Sequence, residues 1–205
     1  MNFNTPATKE IIEKTVNALN SKGIETFVLK NKIEALNKIK ELIPQGVSVM
    51  NGSSVTLEQI GFIEYLKSGD HGWNNLHQII LEEKDPVKQT VLRKQSVLSD
   101  YYLGSVHALV ENGEFIIASN TGSQLPHIVF TSPNLIFVVS TKKIVPTLAE
   151  AMKRLEEYVF PLENNHMKEK YGIGTSLNKI VTFKNENPMI GRKIRIILVE
   201  EDLGF

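Results

Sequence analysis

Asn51-Gly52-Ser53-Ser54-Val55-Thr56 is the stretch of this chain best suited to hold a small anion. It follows Val47-Ser48-Val49-Met50, which reads as a strand, and it leads into a helix. A glycine and small hydroxyl residues at a strand-to-helix turn offer free backbone N–H groups and the positive end of a helix dipole. Phosphate or carboxylate is the natural guest, with Asn51 and the Ser53, Ser54 and Thr56 hydroxyls beside Gly52. The same letters also fit a plain turn at Gly52 whose hydroxyls only cap the helix. They do not make a Walker loop, which needs another glycine spacing and a lysine.

Asn120-Thr121-Gly122-Ser123-Gln124 is a second loop of this kind. It brings further donors to the same cleft if it opens a helix, and is a polar turn otherwise. Lys142 and Lys143 directly follow an apolar strand. Ligands of open α/β sheets sit beyond the carboxyl ends of strands, so a lysine there either pairs with an anion or lies solvated. Histidines 71, 77, 107, 127 and 166 show no metal-ligand spacing, and no metal site is expected. His127 stands out because it closely follows the second loop. In the acidic run Glu200-Glu201-Asp202, Glu201 is a candidate base at a strand end.

Composition narrows the classes. Lys plus Arg equals Asp plus Glu at 23 each, and no basic run exceeds two residues, so nucleic acid is not an expected partner. With no cysteine, the chain itself cannot hold disulfides or thiolate-ligated zinc or iron–sulfur centres. The start, Met1-Asn2-Phe3-Asn4-Thr5-Pro6, lacks a signal pattern, and no apolar run approaches the ~20 residues of a membrane span. A cytoplasmic protein with no membrane insertion and no cofactor of its own is expected. No composition break divides residues 1–205, which read as a single domain.

The elements that must position these residues alternate between helix and strand. Thr5 as N-cap, Pro6 at the first helical position and Gly23 beyond the end predict a helix with Ile12, Val16 and Leu19 inward. A strand over 24–29 and a helix over 32–43 follow, the helix burying Ile33, Leu36, Ile39 and Ile43. Thr56-Leu57-Glu58-Gln59 fits a capping box opening a third helix with Leu57, Ile60, Ile63 and Leu66. Residues 69–84 read as loop. Asp85-Pro86 opens a helix that turns Val87, Val91 and Leu98 inward. Strand-like material fills 101–110 and 114–118, joined at Asn112-Gly113, a type I′ hairpin signal. A short helix should carry Ile128, Val129 and Phe130. Leu135-Ile136-Phe137-Val138-Val139 has the uniform apolarity of a strand buried on both faces. Thr147-Leu148-Ala149-Glu150 is another capping box, opening a helix with Leu148, Ala151, Leu155 and Tyr158. Residues 161–176 read as polar and irregular, and strands near 180–183 and 194–199 close the chain. The whole predicts an α/β fold: a mostly parallel sheet flanked by helices, with right-handed crossovers.

In this order, several segments resemble the lactate-utilisation (LUD) domain family, which includes the C-type lactate utilisation proteins. The resemblance lies in Ile43-Pro44-Gln45-Gly46-Val47-Ser48-Val49-Met50-Asn51-Gly52-Ser53-Ser54 with Val55-Thr56-Leu57-Glu58-Gln59-Ile60-Gly61, and in Glu111-Asn112-Gly113-Glu114. It continues in Lys143-Ile144-Val145-Pro146 with Ala151 and Arg154, and in the tail Val199-Glu200-Glu201-Asp202-Leu203-Gly204-Phe205. It implies the fold shared by sugar-phosphate isomerases and coenzyme A transferases, whose glycine-rich loop after a strand contacts phosphate. Gln124 stands where many members have the arginine of a glycine–asparagine–arginine loop, and 161–176 lacks the cysteine-rich insert of many members. Glu111-Asn112-Gly113 also resembles the catalytic glutamate motif of coenzyme A transferases, with Val110 in place of serine, which makes Glu111 a candidate carboxylate.

The function expected on these grounds is a small-anion-binding subunit in lactate or 2-hydroxy acid utilisation, working beside iron–sulfur oxidoreductase partner chains. The alternative is a stand-alone enzyme on a sugar phosphate or acyl-coenzyme A ester.

Overall fold

The computed structural model describes residues 3–205. Met1 and Asn2, the start of the terminus read above for a signal pattern, lie outside them.

In chain order the strands are β1 (Glu25–Leu29), β2 (Ser48–Asn51), β3 (Asn74–Asn75), β4 (Tyr101–Gly104) and β5 (Ala108–Val110). They continue as β6 (Phe115–Ser119), β7 (Asn134–Ser140), β8 (Ile144–Val145), β9 (Lys179–Phe183) and β10 (Lys193–Val199). The helices are α1 (Lys9–Ser21), α2 (Lys32–Leu42), α3 (Val55–Gln59), α4 (Phe62–Ser68), α5 (Leu76–Glu82), α6 (Pro86–Gln95), α7 (Leu148–Arg154) and α8 (Phe160–Tyr171).

Six strands form a sheet in the order β1-β10-β7-β4-β2-β3, with every pairing parallel. Its centre is β7, buried along Leu135–Ser140 because both faces are covered. Ile136 and Val138 face the helices α2, α3 and α4, packing with Ala35, Ile39, Leu57 and Phe62. Leu135, Phe137 and Val139 face the other way, toward Leu19 of α1 and Leu109, Phe115 and Ile117. This alternation is the two-residue period of a strand applied to a strand with no solvent side.

The second face is covered by more than a helix. Strands β8-β5-β6-β9 make a smaller mixed sheet, not anticipated from the sequence, in which only β5 and β8 run parallel. Its outer side packs under α7 and the helical turn after it through Ala108, Val110, Ile116, Ala151 and Leu155. The expected architecture, a mostly parallel sheet flanked by helices, is the one observed.

Several local expectations are corrected. Helix α1 is capped by Thr8, whose hydroxyl accepts the Ile11 amide, rather than by Thr5. Ile33 is 66% exposed, because Ala35 and Ile39 set the buried face and Ile33 lies about 200° around the helix from Ala35. The single helix expected from Thr56 is two, broken at Gly61 with φ +80° and capped two residues earlier by Ser54. Residues 69–84 hold β3 and α5 instead of a plain loop. The 112–113 hairpin is not type I′: Gly113 alone has positive φ, and its amide closes the turn on Val110 O.

Two corrections are larger. Helix α6 starts as expected at the Asp85 cap, but Val87, Val91 and Leu98 are exposed, and it adds no residue to any core cluster. Val129 and Phe130 are likewise exposed beside a buried Ile128. The region 161–176 is not irregular, since α8 fills its first part. A wide helical turn at Leu155–Val159 precedes it, and Pro161 falls in the first turn of α8, where its missing N–H is tolerated.

Candidate functional site

The carboxyl ends of three adjacent strands converge on one lysine. Strand β2 ends at Asn51, β4 at Gly104 and β7 at Ser140. The residues just beyond them, Gly52–Ser54, Ser105–His107 and Lys143, line a cavity of about 540 Å³. Tyr102, Gln124 and His127 line it too, as do Glu163 and Met167 of α8 and the tail residues Gly204 and Phe205. This is where a parallel sheet leaves a crevice for ligands.

Lys143 is buried in a short helical turn after β7. Its Nζ lies 3.1 Å from Thr56 Oγ1, 3.1 Å from Ser105 Oγ and 3.4 Å from Val106 O. It has no ion pair with a carboxylate among the described residues. Burial, then the charges of Arg154 and Lys142, pushes its pKa well below the usual lysine range. Lys142, next in sequence, is different: it pairs with Asp202 and donates to Asn4 Oδ1 at 3.0 Å, fastening the tail outside the cavity.

The Gly52 loop is partly committed. Gly52 N donates to Leu103 O at 3.2 Å, extending the β2–β4 ladder. Ser54 Oγ caps α3 through the Leu57 amide, and Thr56 Oγ1 serves Lys143. The Ser53 and Ser54 amides have no hydrogen-bond partner among the described residues, and α3 is only five residues long, so it contributes little dipole. Gly52 does not have positive φ. Glycine is needed here for closeness: a Cβ would overlap the Tyr102 hydroxyl and come within 2.7 Å of Gln124 Oε1. Asn51 is buried, its Oδ1 without a hydrogen-bond partner among the described residues.

In the second loop two amides are satisfied by nearby hydroxyls. Gly122 N donates to Ser119 Oγ, and Ser123 N to Thr121 Oγ1. Asn120 accepts from Asn178 and Lys179. Asn120, Ser123 and Gln124 line the cavity, whereas Gly122 does not. Gln124 braces the wall, donating to Ala118 O and accepting from the Tyr102 hydroxyl at 3.2 Å.

Neither candidate carboxylate is in the cavity lining. Glu111 pairs with Lys14 at 2.7 Å at the hairpin turn, and Glu201 accepts the Lys32 amide at the start of α2. Sequence reasoning missed the carboxylate that is there. Glu163 of α8 lines the cavity, and burial raises its pKa.

Two of the imidazoles lining the cavity, His107 and His127, are neutral at physiological pH. His107 Nδ1 accepts the Ala118 amide at 3.1 Å, so the neutral ring carries its proton on Nε2. Burial, then the Lys143 and Arg154 charges, holds its pKa down to about 3. His127 stacks on Tyr102 with centroids 4.7 Å apart and has Nδ1 3.1 Å from both Ser99 Oγ and Ser132 Oγ. Burial lowers its pKa to about 4. Behind His107, the fully buried Arg154 donates to His107 O and lies over the Tyr158 ring, while its Nε and Nη2 have no hydrogen-bond partner among the described residues. Ser105 and His107 had a faint signal, since Gly104-Ser105 after β4 repeats the strand–glycine–serine step of Gly52-Ser53. Arg154 and Tyr102 had none.

The sequence profile of the LUD domain matches residues 12–182, which is most of the chain. The chain belongs to the LUD domain family. That membership ties it to lactate utilisation in general terms. Among solved structures, the LUD domain is similar to the crystal structure of a DUF162 family protein from Deinococcus radiodurans. The two are 13% identical with a TM-score of 0.58, over 95% of this chain and 99% of that one. At that identity the likeness speaks for the fold. No curated protein matches the sequence. No helix among the described residues of this LUD domain is long and apolar enough to cross a membrane.

Proposed function

We propose that this LUD domain binds a small organic acid of the 2-hydroxy or 2-oxo type in the Lys143 cavity, as the binding subunit of a lactate-utilisation assembly. One observation carries the reading: Lys143 is a buried basic group at the ends of β4 and β7 with no carboxylate partner, facing a cavity. A cation site without its anion favours the arrival of one, and charge-assisted hydrogen bonds in a desolvated pocket are worth roughly 1.5–3 kcal/mol each. The Ser53 and Ser54 amides supply further donors. Asn51 Oδ1, a buried acceptor without a donor, suits a ligand hydroxyl. A three-carbon acid would not fill about 540 Å³, so longer 2-hydroxy acids belong among the candidates.

Oxidation of a hydroxy acid must deliver electrons somewhere, and a chain without cysteine cannot hold a thiolate-ligated cluster. Separate redox chains, such as iron–sulfur oxidoreductase subunits, are the partners that fit this reading. Acyl transfer through Glu111 finds no support, because that carboxylate is tied to Lys14 away from the cavity.

Calorimetric titration with lactate, pyruvate, longer 2-hydroxy acids and inorganic phosphate tests the binding, beside Lys143→Met. Saturable binding of an organic acid, weakened at least tenfold in the variant, is expected. Failure of every acid to bind the intact chain would remove the proposal.

A further inference from the structure

We propose that Lys143 is a nucleophilic amine, condensing reversibly with the carbonyl of a 2-oxo acid or aldehyde in the cavity to form an imine. The idea rests on the binding role just given and adds a covalent step to it.

The hydrogen-bond directions around Nζ suit an amine in either protonation state. Ser105 donates its own proton to Val138 O at 2.7 Å, so it can only accept from Lys143. Val106 O also only accepts. Thr56 Oγ1, 3.1 Å away, can do either. As an ammonium, Lys143 donates to all three. Once neutral, it keeps two donated bonds and can receive on its lone pair the Thr56 proton, which otherwise makes only a long 3.4 Å bond to Ser105 Oγ. A lysine kept for an ion pair is arranged otherwise, as Lys142 is with Asp202. Burial without a counter-charge, beside the cations of Arg154 and Lys142, favours the neutral form with its lone pair available.

The condensation is balanced without any further reagent. The Nζ lone pair forms a C–N bond to the carbonyl carbon, and the carbonyl electron pair moves to oxygen. The added proton passes from nitrogen to that oxygen, with the Thr56 hydroxyl placed to relay it, giving a carbinolamine. The hydroxyl then leaves as water, taking the remaining proton of the nitrogen, whose electron pair forms the C=N bond. An oxo acid held in this way is retained until water adds back.

Reduction traps such an adduct. The full chain is incubated with pyruvate or glyoxylate, treated with borohydride, and read by intact mass and peptide mapping, alongside calorimetry with lactate and pyruvate. The expected result is one reduced adduct per chain, on Lys143. It should persist in Lys142→Arg and fall at least tenfold in Lys143→Arg and Lys143→Met, with folding of each variant checked by thermal melting. Adducts scattered over surface lysines, or unchanged in the Lys143 variants, overturn the proposal. If both acids bind but nothing is trapped, the imine is refuted while the binding site stands. Absence of both binding and adduct overturns both.

Discussion

The Thr56 hydroxyl and the Lys143 amine, 87 residues apart in sequence, lie 3.1 Å from each other at the carboxyl end of the sheet. Helix α3 after β2 and the turn after β7 are thus joined at one point, and that point faces the cavity. Thr56→Ser keeps the hydroxyl and should keep ligand affinity. Thr56→Val removes it and should weaken acid binding about tenfold, the equivalent of one charged hydrogen bond. Calorimetry of the two variants side by side distinguishes the hydroxyl from the bulk of the side chain.

Gly204 is the tightest constraint on that cluster. A Cβ there would overlap Thr56 Oγ1 and come within 2.9 Å of Lys143 Nζ, and its φ of +65° disfavours any L side chain. Gly191 shares the conformation, φ +70°, but has open space around it. Gly191→Ala should therefore cost only the backbone strain, roughly 1–2 kcal/mol. Gly204→Ala should cost more and should also lose ligand binding. Denaturant titration and calorimetry on both variants check this, and equal effects would contradict the packing described.

Acid should destabilise the protein well above the carboxylate range. His107 and His127 have folded pKa values of about 3 and about 4, against 6.5 for an unperturbed histidine. Between about pH 4 and 6.5 the unfolded chain therefore binds protons that the folded chain does not, and stability falls as pH drops through that window. Near pH 5, unfolding should take up close to two protons per molecule from these rings. Denaturant curves at pH 7, 6 and 5 measure the slope, and a flat profile would place both imidazoles in contact with water.

The exposed apolar residues of α6 and of the short helical turn Ser96–Leu98 after it should be dispensable for stability. Val87→Ser and Leu98→Ser alter side chains that are 73% and 75% exposed, and should change stability by no more than about 0.5 kcal/mol. Leu103→Ala, in the fully buried β4, should cost about 2–5 kcal/mol. Thermal or chemical unfolding of the three variants decides it.

The contrast between these residues shows how far the sequence could be read. The strand at 135–139 was legible because its uniform apolarity has one economical explanation, burial on both faces. Caps at Asp85 and Thr147 were legible because an N-cap is a local contact, three residues or fewer in reach. The inward face of α6 was not, since a helical stripe shows which residues share a side but not what covers it. The helix within 161–176 was not legible either, because the wide turn that prepares a helix for Pro161 leaves no compositional mark. The Gly52 loop was correctly placed at a strand end, yet its partners were hidden. Thr56, Ser105 and Lys143 meet only because β2, β4 and β7 pair side by side. Nor could the sequence separate Lys142 from Lys143, because a single turn sends one to Asp202 and the other into the cavity.

The most direct test of the Lys143 site is proton uptake on ligand binding. Arg154, Lys142 and His107 surround the amine, Glu163 shares its cavity, and the lowered pKa leaves Lys143 neutral at high pH. An arriving carboxylate stabilises the ammonium, so binding should draw up to one proton from solution, and affinity should fall as pH rises. Lactate, which has no carbonyl to condense, is titrated near pH 8 in two buffers of different ionisation enthalpy, into the intact chain and Lys143→Met. The account expects a buffer-dependent heat that disappears, with most of the affinity, in the variant. Undiminished binding to Lys143→Met with no proton taken up would contradict it.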